Sequence, residues 1–79
     1  MGHEIDEQLL TILAKRARIS REIGMYKKEN NMPVLQTGRY NEILEKRAQM
    51  GEAMNLDREF VFAIMKSIHE ESVRIQLAL

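Results

Sequence analysis

The sequence contains no cysteine, which excludes disulfides and thiolate metal sites. A cysteine-free composition fits a reducing compartment, and a cytoplasmic location is expected. Tryptophan is absent too, and proline occurs once, at Pro33. The four glycines are scattered, so there is no glycine-rich phosphate loop. Neither sign of charge is in excess: 12 lysines and arginines balance 12 aspartates and glutamates. Phosphate neutralisation drives nucleic-acid affinity, so binders are usually basic. No nucleic-acid partner is therefore expected. No apolar run approaches the length of a membrane span, and the first residues lack the apolar core of a signal peptide. No membrane partner is expected either. Internal repeats and low-complexity tracts are missing as well.

What is present is helical. At 79 residues the chain is read as one domain, 1–79. A core this small is marginal for a monomer, and with disulfides excluded the expected aid is association. The opening Met-Gly-His reads as a cloning remnant, and the chain as a domain cut from a longer polypeptide. The first helix is expected from His3 to about Asn30, roughly 40 Å at 1.5 Å per residue. That is longer than the remaining segments can cover by folding back. Ile5, Leu9, Ile12, Ile19, Ile23 and Tyr26 follow the four-three spacing of a coiled-coil seam, which points to a second copy of the chain. Arg16 occupies the seam position between Ile12 and Ile19.

The segment "ENNMPVLQTG" breaks this helix, since Pro33 forbids helical continuation through Met32. A second helix is expected to begin near Thr37, as a cap, and to run through "RYNEILEKRAQMGEA" with Ile43, Leu44 and Ala48 inward. Gly51 weakens its end. Asp57 is a good cap for a third helix, about Arg58 to Leu79, three residues before Phe60. The inner stripe of that helix is Val61, Ile64, Met65, Ile68, Ser72, Ile75, Gln76 and Leu79.

Each inner face is interrupted by polar residues. Lys27 lies eleven residues after Arg16, close to three turns, so the two cations share a face. Ser72 and Gln76 are one turn apart, and Arg39 opens the second helix. Singly, each has an ordinary explanation. Arg16 could pair with Glu22 or Glu45, Lys27 could lie on a solvated face, and Ser72 with Gln76 could mark the edge of a drifting stripe. Together they suit one small anionic ligand, because arginine grips carboxylate bidentately and lysine acts as a point charge. His3 and His69 are isolated, and "HEES" lacks the second histidine of a zinc helix, so no metal is expected. No Ser-His-Asp arrangement can be argued from the spacings.

"IDEQLLTILAKRARISREIG" with a lysine three residues on resembles the first helix of the all-helical chorismate mutases. The "MPV" turn, the arginine six residues after the proline, "LD" before the third helix and "EESVRIQ" match in order, so the likeness spans nearly the whole chain. "ISREIGMYKKENNMPVLQTGRYNEIL" looks most like mutase domains fused to a bacterial DAHP synthase. The resemblance implies an all-α fold, an intertwined homodimer of three-helix chains whose active sites draw on both subunits. It implies rearrangement of chorismate to prephenate, a step of aromatic amino acid biosynthesis from the shikimate pathway, with no cofactor. Residue by residue, it implies that Arg16 and Arg39 hold substrate carboxylates and that Ser72 is a polar contact. Lys27 and Gln76 are implied to be catalytic, sharing the ether oxygen of the breaking bond.

Two departures accompany the likeness. The acids that bind the substrate hydroxyl in the family are replaced by Gln36 and Tyr40. A further family arginine would match a position before Met1, so weak activity is expected of the chain as it stands. Two other readings remain open: a non-catalytic or regulatory prephenate-binding dimerisation module, and an isochorismate pyruvate lyase-like activity.

Overall fold

The computed structural model describes residues 2–35 and 37–79, Thr37 by its backbone alone. It contains three helices and, among the described residues, no strand: α1 His3–Glu29, α2 Thr37–Ala53 and α3 Arg58–Leu77. The all-α expectation holds, with ends within two residues of those read from the pattern.

Asparagine ends both of the first two helices. Asn31 and Asn55 adopt left-handed φ values of 53° and 63°. After α1, Met32 N–H donates to the Lys27 carbonyl at 2.8 Å and Asn31 N–H to that of Lys28 at 3.4 Å. After α2, Leu56 N–H donates to Gly51 O at 2.9 Å and Asn55 N–H to Glu52 O at 3.0 Å. Both are Schellman closures, in which asparagine fills the position glycine usually takes. The third helix starts as its sequence requires: the Asp57 carboxylate accepts from Phe60 N–H at 2.9 Å.

Helix α3 is the hub. It packs against α1 and against α2, whereas α1 and α2 form no packed pair with each other among the described residues. Gly51 is buried where α2 meets α3, and a Cβ there would lie 2.6 Å from Val61 Cγ2. Its role is therefore close approach rather than termination, and α2 continues two residues beyond it. Arg58 ties the two helices at the surface by ion pairs to Glu52 and Glu45. Exposed pairs of this kind add little stability.

Within one chain α3 packs on a different face of α1 from the isoleucine seam. The residues of α1 that face α3 are Leu13, Ala17, Ser20, Gly24 and Lys27, also in four-three spacing but rotated round the helix. Ile5, Leu9, Ile12, Ile19, Ile23 and Tyr26 stay exposed, between 41% and 65%. The buried apolar core of the described chain is just Leu44, Ala48 and Ile75. The molecule is a flat slab of 43 × 28 × 14 Å.

Candidate active site

A cavity of about 650 Å³ opens between the three helices. Its walls include Arg16, Ala17 and Ser20 of α1, Tyr40 and Arg47 of α2, and His69 and Ser72 of α3. Small residues make this junction possible. A Cβ on Gly24 would lie 2.7 Å from Leu79 Cδ1 and 2.9 Å from Gln76 Cγ. Glycine thus lets α1 approach α3 closely enough to hold Gln76 between them. One turn earlier, the buried Ser20 hydroxyl meets the Ser72 hydroxyl at 2.6 Å.

The polar chain continues along α3. Gln76 Nε2 donates to Ser72 Oγ at 3.3 Å, while Gln76 Oε1 is buried without a partner. A half-turn of the carboxamide exchanges its two ends, which have nearly the same shape. Ser20 then donates to Ser72, Ser72 donates to Gln76 Oε1, and the unpartnered position passes to the amide N–H groups, which can donate to a ligand. On the α1 side, Lys27 Nζ donates to the Val34 carbonyl at 3.0 Å. That bond anchors the ammonium to the loop after Pro33 and leaves two of its three N–H donors for another acceptor.

Arg16 lies on the cavity wall and has no carboxylate partner within ion-pair distance among the described residues. Glu45, one acid available to it by sequence, is engaged with Arg58 instead. Arg39 is exposed on the first turn of α2 and is not among the described wall residues; Arg47, two turns on, is. Within one chain, then, Arg16, Tyr40 and Ser72 line the cavity, Gln76 and Lys27 adjoin it through Ser72 and His69, and Arg39 stands apart. Gln36 lies outside the described residues.

Sequence reasoning passed over His69. The imidazole lines the cavity and stacks on Tyr40, with ring centroids 3.9 Å apart and planes 17° from parallel. Its Nε2 is buried without a partner. Burial, and secondly the nearby Lys27 charge, push its pKa below the usual histidine value, against a smaller opposing effect of Glu70. The ring is therefore neutral at pH 7. A signal was available: His69, Ser72 and Gln76 fall at i, i+3 and i+7 on one helical face.

Residues 3–77 match the family described as chorismate mutase type II. The chain belongs to that family. Three curated relatives agree. The bifunctional chorismate mutase/prephenate dehydratase of Escherichia coli K12 is 35% identical over 75 residues, which is 95% of this chain and 19% of the relative. The protein of the same description from Enterobacter agglomerans is 32% identical, with the same coverage. That of Buchnera aphidicola subsp. Schizaphis graminum is 32% identical over 98% of this chain and 20% of its own length. The chain thus spans about a fifth of the curated relatives it matches. These matches overturn the expected fusion partner: in these relatives the mutase is joined to prephenate dehydratase, not to DAHP synthase. No helix of the described residues is long and apolar enough to cross a membrane.

Proposed function

We propose that this chain rearranges chorismate to prephenate. The observation that carries the reading is Arg16, a cation on the cavity wall with no acid to neutralise it. A dianionic substrate supplies what the protein withholds. In this rearrangement an ether C–O bond breaks while a C–C bond forms within one molecule, and no proton is transferred. The site needs no nucleophile and no base. It needs cations to hold two carboxylates with the enolpyruvyl arm folded over the ring, which favours the reactive conformer.

Negative charge grows on the ether oxygen as the C–O bond breaks. Lys27 and the freed amide of Gln76 stabilise that charge more in the transition state than in the ground state. Ser72, held by Ser20, fixes the carboxamide. Arg16 takes one carboxylate. Arg39, exposed and not among the described wall residues, takes part only if substrate or a neighbouring subunit draws it in. Family membership and the bifunctional relatives support the same chemistry.

The reading includes a homodimer, supported by the exposed isoleucine seam of α1 and the three-residue core. It also includes work as a cytoplasmic mutase domain within a longer polypeptide, as in the relatives. The test is prephenate formation from chorismate by the purified chain. Prephenate should appear, and Arg16→Ala should abolish its formation without lowering Tm. Prephenate binding without turnover would indicate a regulatory module instead, and pyruvate release a lyase.

A further inference from the structure

We infer that the His69 imidazole, seated against Tyr40, reads the ring hydroxyl of the substrate and makes this cavity selective for hydroxylated cyclohexadienes. The inference rests on the proposed mutase reading and deepens it at one position. Chorismate carries two carboxylates, an ether oxygen and one uncharged hydroxyl. Arg16 and Lys27 suit the charged groups and the ether oxygen. A hydroxyl gains nothing particular from a guanidinium, but one nitrogen of a neutral imidazole can donate to it or accept from it, according to the tautomer.

His69 is a neutral group on the wall with bonding capacity to spare. Its Nε2 has no partner among the described residues. A buried polar atom left this way in a folded protein calls for an explanation, and an absent ligand is one. Tyr40 stacks on the face of the ring, which leaves the ring edge available for hydrogen bonding. The ring lines the cavity, and a half-turn about Cβ–Cγ exchanges the places of Nε2 and Cε1. The charged and titratable groups around it are Arg16 and Lys27 from α1, Tyr40 and Arg47 from α2, and Glu70 and Glu71 on α3 itself. The carboxylate on the wall, Glu71, is held by Arg74 at 2.6 Å and is not free to replace the imidazole.

The experiment compares chorismate with its analogue lacking the ring hydroxyl, using wild type, His69→Leu and His69→Gln. Wild type should favour chorismate in KM by roughly three- to tenfold, the worth of one neutral hydrogen bond. His69→Leu should erase that preference by raising KM for chorismate alone, and His69→Gln, whose amide can also bond a hydroxyl, should restore part of it. A merely structural role for His69 would weaken turnover of both compounds equally. If wild type converts chorismate but the preference is unchanged in His69→Leu, the His69 assignment is overturned and the mutase reading stands. If His69→Leu does not fold, His69→Gln decides: a preference smaller than that of wild type supports the assignment, and a preference equal to that of wild type overturns it. If wild type neither binds nor converts chorismate, the mutase reading fails and the inference falls with it.

Discussion

Arg16 looked anomalous as one position in an apolar seam, and the ordinary explanation was a hidden glutamate. The folded chain gives Glu45 to Arg58 and leaves Arg16 on the cavity wall. Replacing it should not expose a buried partner, so Arg16→Ala is expected to hold Tm within about a degree or two while losing the stabilisation that a dianion gives wild type. For a ligand at 100 times its Kd that stabilisation is about 2.7 kcal/mol, and thermal melts with and without prephenate would measure it. His69 makes a prediction in pH. Its folded pKa lies below its unfolded value of 6.5, so the unfolded chain binds the proton more readily. The neutral ring costs nothing above pH 6.5, and stability falls as pH drops below 6.5 toward the lower folded value. Melting curves between pH 7.5 and about 5 should show that loss in wild type, and a smaller one in His69→Leu. At this scale the sequence was a good guide to charge: cations and amides interrupting apolar stripes were conspicuous. A lone histidine was less so: its spacing with Ser72 and Gln76 put it on their helical face, but its stack with Tyr40 crosses helices and no local spacing encodes it.

Among the elements, helix limits were legible because capping is local. Asp57 and the two asparagine closures act within a few residues of themselves. Which face of α1 meets α3 was not legible. Two four-three stripes run along that helix, and the more apolar one drew attention, whereas α3 packs on the stripe containing Ser20 and Gly24. Close approach selects small residues, and small residues are weak hydrophobic signals. Substitution separates the two glycines. Gly51→Ala drives a Cβ into the stiff, branched Val61; overpacking costs typically about 1–3 kcal/mol, of which better helix propensity returns about 1 kcal/mol. It should lower Tm and leave turnover per folded molecule unchanged. Gly24→Ala displaces Gln76 and should reduce kcat more than it reduces Tm. Equal kcat in Gly24→Ala and wild type would show that the close approach of α1 does not hold Gln76 in its working position.

The whole molecule is thin. A slab 14 Å across, with three buried apolar residues among those described, leaves the isoleucines of α1 in water. Covering each such side chain is worth about 1.5–3 kcal/mol, so association is the account's expectation for the chain in solution. Sedimentation should give twice 9.2 kDa, Tm should rise with protein concentration, and Ile12→Glu should abolish both. The length of the first helix already raised that expectation from the sequence; how α3 joins α1 to α2 needed the structure. The central claim is that the pocket accelerates a one-substrate rearrangement by stabilising charge on an ether oxygen. The most direct test is the kcat of Lys27→Ala with chorismate, measured beside wild type at matched dimer content. The account predicts prephenate from wild type and a fall of about 10²–10³ in kcat for the variant, whereas unchanged kcat in Lys27→Ala would contradict it.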